Sequence, residues 1–127
     1  MNSKYQIALA MLVGAALGGA AMQGLHAQAK PKAYIVTESE LLDQAALAAY
    51  TPQAQAAVKA AGGTSGLITS GKIIAVVGDP PKRIGASEWP SADQAQAYLK
   101  SPERAALNAE RDKAFKITRQ FIVERPN

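Results

Sequence analysis

The chain has 127 residues, with 14 Lys and Arg against 10 Asp and Glu for a net charge of +4, one histidine and no cysteine. This is length for one domain, and the lack of cysteine excludes disulfides, thiol nucleophiles and Cys-held zinc or iron–sulfur centres. The cations are scattered, with no run longer than Lys82-Arg83, and no basic stripe carries interleaved aromatics, so no nucleic-acid partner is expected.

Residues 1–29 read as a bacterial secretory signal. Lys4 precedes an uncharged, mostly apolar run from Tyr5 to Leu25, and Ala27-Gln28-Ala29 forms an A-x-A cleavage pattern. The run is rich in Ala and Gly and weakly hydrophobic for a permanent span, so no stable membrane anchor is expected after cleavage. Neither a twin-arginine pair nor a lipobox cysteine is present. Cleavage after Ala29, with Ala27 as the alternative, would deliver a single domain of residues 30–127 to the periplasm or beyond. Only Lys4 among the charged residues leaves with the signal, so the remaining 98 residues carry +3. His26 leaves too. A mature chain without imidazole excludes Ser-His-Asp triads, His-ligated zinc and axial-His haem. The acids do not cluster, and Glu110 and Asp112 point apart on a helix, so neither metal nor cofactor is expected.

After a polar lead, "AYIVTE" (33–38) is a compact β-branched and aromatic run that predicts a strand. Asp43 is placed to cap an alanine-rich helix with Leu42, Ala46 and Ala49 on one face. Thr51-Pro52 predicts a break and restart, because an internal proline removes a hydrogen bond and clashes with the preceding turn. The second piece runs to about Ala61, and Gly62 or Gly63 supplies a left-handed cap. "GLIT" (66–69) and "KIIAVV" (72–77) then predict a hairpin around Ser70-Gly71. "GDPP" (78–81) is a loop, and "KRIGASEW" (82–89) is a further strand. Pro90 ends it; Ser91 and Gln94 form a capping box for the next helix, whose apolar face is Ala92, Ala95, Tyr98 and Leu99. Ser101-Pro102-Glu103 starts another helix, with Ala106 and Ala109 on its core face. "FKITRQFIVER" (115–125) predicts the last strand, with Ile117, Phe121 and Val123 facing the core.

The order of elements is a doubled β-α-β. It predicts an α+β, ferredoxin-like split βαβ domain: a four-stranded antiparallel sheet plus an extra hairpin strand, with helices on one face. The bare face needs cover, and a chain this small and this rich in alanine does not build a two-sided core, so a homodimer packed sheet to sheet is expected.

"IALAMLVGAALGGAAMQGLHAQAKPKAYIV", "AQAAVKAAGG", "PPKRIGASEWPSADQAQAYLKSPE" and "ITRQFIVE" together resemble exported members of an uncharacterised bacterial family in the dimeric α/β-barrel superfamily. The resemblance covers essentially the whole mature chain. It implies a ferredoxin-like dimer, and the superfamily includes cofactor-free monooxygenases, muconolactone-type isomerases and haem-dependent enzymes. Haem is disfavoured here, since no methionine follows Met22 and no histidine or cysteine would remain as axial ligand. Two positions depart from the family pattern: Thr64 follows the Gly-Gly pair where arginine is frequent, and Arg104 follows "SPE" where tyrosine is usual. If those positions line a pocket in relatives, the pocket here is expected to have different chemistry or to be absent.

In such a fold a cavity between sheet and helices is implied, and five residues are its candidate lining. Trp89 would stack a flat ligand and Tyr98 donate a hydrogen bond, or the two rings simply close the strand–helix joint. Arg111 would hold an anion by its fork geometry, or else form a surface ion pair. Tyr50, at the expected helix break, would reach the cavity or pack. Glu88, inside a strand, would be a raised-pKa base if it faced the interior. The primary expectation is a small organic ligand bound without catalysis. The alternatives are a cofactor-free enzyme on an aromatic or lactone-type substrate and a structural protein-interaction module.

Overall fold

The structure, a computed structural model, describes residues 30–68 and 71–126, with a compact unit beginning at Pro31. The secretory signal expected over residues 1–29 lies outside the described residues. Strand β1 (Ala33–Leu41) leads to helix α1 (Gln44–Ala60), then to β2 (Thr64–Ile68) and β3 (Arg83–Trp89). Helices α2 (Ala92–Leu99), α3 (Pro102–Ala106) and α4 (Asn108–Ala114) precede β4 (Phe115–Glu124). The sheet order is β2-β3-β1-β4, antiparallel throughout. This is the α+β, ferredoxin-like arrangement that the element order predicts. Among the described residues no helix is long and apolar enough to cross a membrane.

Capping chemistry sets the helix starts. The Ala46 N–H donates to Asp43 Oδ1 at 2.7 Å, and the Gln94 and Arg104 N–H groups each donate to the hydroxyl of Ser91 and Ser101 at 3.2 Å. At the end of α1, Gly62 adopts φ +95° and donates to Lys59 O, while Gly63 donates to Val58 O, the paired bonds of a Schellman cap. The α1 entrance is tied to α4 instead of to the sheet: the Leu42 and Asp43 N–H groups both donate to Ala114 O.

Three local expectations are corrected. Helix α1 runs unbroken through Pro52. Thr51 Oγ1 donates to Leu47 O at 2.8 Å and Gln53 Nε2 to Ala49 O at 3.1 Å, while the carbonyl that loses its donor belongs to exposed Ala48, where water can reach it. The hairpin strand expected at 72–77 does not form. That segment is irregular, with Val76 90% and Val77 93% exposed. Its available neighbour is the outer edge of β2, whose own side chains are mostly exposed, so pairing there would bury little apolar surface. The helix expected from Ser101 divides at Leu107, and Arg104 and Ala114 are its buried residues in place of Ala106 and Ala109.

A register shift beside Glu38 and Ser39 also splits the expected core face of β4. Ile117 lies opposite Ser39, but Arg119 lies opposite Glu38, so Thr118 is the extra residue. Beyond this bulge Gln120 and Ile122 face the helices, and Phe121 and Val123 turn to the other side. Those two join Tyr34, Val36 and Ala86 on a sheet face that no helix of the described residues covers. Arg119 grips Glu38 there through two hydrogen bonds of 2.7 Å.

The helix side holds two separate apolar clusters. One joins Ile35, Val58, Trp89, Ala95 and Tyr98; the other joins Tyr50, Ala114 and Phe115. Trp89, fully buried, fastens the first: its ring stacks on Tyr98 at 4.8 Å, and its Nε1 donates to Ser87 Oγ at 2.9 Å. Gly63 lies flat against the same ring, and a Cβ there would stand 2.8 Å from ring carbons. Gly63→Ala is expected to lower unfolding free energy by about 1–3 kcal/mol through overpacking against an immovable indole. Gly62→Ala meets no atom within 4 Å, and its cost comes from positive φ alone. Urea unfolding of the two variants, followed by tryptophan fluorescence, checks this; the Gly63 variant should also shift the native emission, and the Gly62 variant should not.

Candidate functional site

Between the two apolar clusters the helices leave the sheet uncovered, and a cavity of about 290 Å³ opens there. Its floor is the helix-side row of the sheet, with Ile35, Thr37 and Ser39 from β1 and Gln120 from β4. Its walls are α1, through Tyr50 and Val58, and the α2–α3 corner, through Tyr98 and Arg104. Much of the lining is apolar, with polar groups at fixed points. Gln120 Nε2 donates to Thr37 Oγ1 at 2.8 Å, and Arg83 Nη1 donates to Ser39 Oγ at 3.3 Å while its guanidinium lies 5.6 Å from the Phe115 ring centre.

The two phenols belong to opposite clusters and meet the cavity from opposite sides. Tyr50 is 8% exposed and packs edge-on against Phe115 at 5.5 Å; Tyr98 is 7% exposed and stacks on Trp89. Neither hydroxyl has a hydrogen-bond partner among the described residues. Burial raises the pKa of both phenols, with the Arg104 charge opposing the rise at each. Both therefore remain protonated donors at neutral pH.

The five sequence candidates separate. Tyr50 and Tyr98 line the cavity. Trp89 does not border it and serves as the wall behind Tyr98. Arg111 lines an adjoining hollow of about 220 Å³ that shares Leu99, Arg104 and Gln120 with the main cavity. It is paired with Asp112 at 2.9 Å and donates to Asn108 Oδ1 at 2.9 Å. Glu88 lies on the uncovered sheet face, away from the cavity, because Glu88 pairs across the sheet with Tyr34 and not with Ile35. It accepts from Lys32 at 3.0 Å and from Tyr34 at 3.1 Å; these bonds, the lysine's first, hold its carboxyl below the usual range, the reverse of a raised-pKa base.

Arg83 and Arg104 are the charged lining residues that the sequence did not point to. Both sit at ordinary positions, one opening a strand and one in the first turn of a short helix, and periodicity assigns charged residues there to solvent. The departure from the family pattern at Arg104 was the available signal. Among the described residues no group of three or more His, Cys, Asp or Glu side chains is placed to hold a metal ion.

A family model described as "Domain of unknown function (DUF1330)" matches residues 32–126. No curated protein matches the chain. Among solved structures it is similar to a protein of unknown function from Rhodopseudomonas palustris, with a TM-score of 0.62 and 13% identity over 84% of this chain and 92% of that one. A methylated form of that protein gives 0.59 and 12% identity over 84% and 90%. A dimeric protein of unknown function and ferredoxin-like fold from Bacteroides fragilis gives 0.45 and 14% identity over 74% and 92%. At 12–13% identity, the TM-scores of 0.62 and 0.59 show a shared fold alone.

The two bound carboxylates on the uncovered face carry a pH signature. The Arg119 hydrogen bonds hold Glu38 below its ordinary 4.5, as the Lys32 and Tyr34 bonds hold Glu88. A carboxyl lowered in the folded state adds stability above its unfolded pKa and loses it as pH falls through the folded value. The melting temperature is expected to drop as pH falls below about 4.5. Glu38→Gln with Glu88→Gln should flatten that drop in acid melts followed by circular dichroism; an unchanged acid slope contradicts the assignment.

Proposed function

The chain belongs to the DUF1330 family, a domain of unknown function, and from that premise we propose that it binds a small organic ligand in the cavity between sheet and helices. The observation that carries this reading is the divided core. Two apolar clusters stand apart around about 290 Å³, and two buried tyrosines whose hydroxyls have no hydrogen-bond partner among the described residues line that space. A space of this size between packed elements, apolar with a few convergent polar groups, is the usual form of a small-molecule site.

Binding is favoured over catalysis by the titratable groups. Among the described residues no carboxylate lines the cavity, both phenols hold their protons at neutral pH, and Glu88 lies on the opposite face with a lowered pKa. A cofactor-free monooxygenase or isomerase acting on an aromatic or lactone-type substrate would need a base beside the reacting carbon. The interaction-module reading draws only on the uncovered sheet face, and a second copy of the chain accounts for that face.

The protein acts as a homodimer in this reading. Val36, Ala86, Phe121 and Val123 form an apolar centre, and Glu38–Arg119 and Lys32–Glu88 ion pairs stand beside it. An antiparallel sheet with one bare apolar face is stabilised by a second layer. Export to the periplasm or beyond follows from the signal pattern of residues 1–29.

Native mass spectrometry of protein recovered from periplasm tests all three parts. The expected result is a dimer mass, a chain beginning at Lys30 and a retained small molecule. Ala54→Trp, which fills the cavity from α1, should release the molecule and keep the dimer. Phe121→Asp should give monomer in light scattering at micromolar concentration. Folded wild-type protein that retains nothing in its cavity and binds no small organic molecule would sink the ligand reading.

A further inference from the structure

Arg104 is 8% exposed, and it is the buried charged residue among the described residues. Its backbone is set by the Ser101 cap, whose hydroxyl accepts from the Arg104 N–H at 3.2 Å, and its side chain is buried where α3 follows α2. Its side-chain partner is neutral: Nη1 donates to Asn108 Oδ1 at 3.3 Å. The same Asn108 oxygen accepts from Arg111 at 2.9 Å, so one amide carbonyl serves two cations. Arg111 has Asp112 to balance it. Arg104 has no carboxylate at ion-pair distance among the described residues. Arg83, which also lines the cavity, likewise rests on a serine hydroxyl and an aromatic face and has no carboxylate at ion-pair distance among the described residues.

A buried cation is retained at a cost unless an opposite charge meets it. Here the unmet cation borders the cavity, and the two phenolic hydroxyls beside it are donors without protein acceptors. Donors thus converge on one region, while Ile35, Val58 and Phe115 supply an apolar remainder. A guanidinium fork with nearby O–H donors matches the two oxygens of a carboxylate.

We propose that the cavity is an organic-anion site: it takes a monocarboxylate with an aromatic or branched apolar body, its head group on Arg104, Tyr50 and Tyr98 and its body against the apolar floor. This inference rests on the ligand-binding reading above and narrows it to a charge class. Arg104 is the anchoring residue. Arg83 adds field from the β3 side of the cavity.

The test compares matched pairs that differ only in charge: 2-naphthoate with 2-naphthamide, and phenylacetate with phenylacetamide, by calorimetry on the mature wild-type dimer at neutral pH. Each carboxylate is expected to bind about tenfold to a hundredfold more tightly than its amide, the range of one charge-assisted hydrogen-bonded pair. Arg104→Met should abolish that preference, bringing acid and amide within about threefold of each other. Arg83→Gln should reduce the preference only in part. The wild-type comparison needs no variant, so a misfolded Arg104→Met leaves the test intact. Equal affinity of acid and amide overturns the anion inference and leaves the ligand reading standing. Binding of neither pair also overturns it, and the retained-molecule measurement then judges the cavity separately.

Discussion

The arrangement above the sheet follows from a shortage of side-chain volume. Helix α1 has 17 residues, and only Tyr50 and Val58 among them are buried. The rest of its inward surface is Ala46, Leu47, Ala54 and Ala57, all partly buried. Alanine favours the helix but fills little space. A four-stranded sheet presents more surface than such a helix can cover, so contact concentrates where large rings are available. One ring pair, Trp89 on Tyr98, anchors the α2 end, and another, Tyr50 on Phe115, anchors the α4 end. The cavity is the space between these anchors. It arises from composition, not from a loop or a lid.

The uncovered face obeys the same economy differently. Successive residues of β3 serve opposite sides: Arg83, Gly85 and Ser87 turn to the cavity, and Glu88 and Ala86 pair with the exposed row of β1. The bulge at Thr118 divides β4 in the same way. Without it, Phe121 and Val123 would share a face with Ile117 and fill the helix side. With it, the two residues leave that side, the core stays thin, and the outer face gains the apolar centre that a second layer would cover.

Much of this was legible in the sequence because caps and turns are local. Asp43, Ser91 and Ser101 act through their own neighbours three residues on, and Gly62 through its own φ, so their roles survive any tertiary context. The ferredoxin-like order was legible for a related reason: alternating strands and helices of these lengths have few ways to pack. What was not legible depended on distant partners. Pro52 reads as a break until the exposure of Ala48 is known. "KIIAVV" is strand-like by composition, but a strand needs an edge worth joining, and the edge of β2 offers little to bury. The bulge that reverses β4 has no glycine and no proline to announce it.

The site divides along the same line. Tyr50 and Tyr98 could be chosen from sequence because large aromatic side chains are few in this chain. Trp89 could not be separated from Tyr98 by spacing: the two rings are partners, and only burial shows that one backs the other. Arg104 was hidden for the opposite reason. A charged residue in the first turn of a helix reads as solvated, and its inward path depends on how α3 turns off α2 after Ser101 Oγ donates to Tyr98 O at 2.7 Å. That bond fixes the corner, and the corner delivers a cation to a region that the alanine-rich helices left open. Small side chains in α1 make the room, two ring pairs keep it from collapsing, and a serine cap brings charge to its border. The chemistry of the cavity is thus set by residues whose local roles are structural.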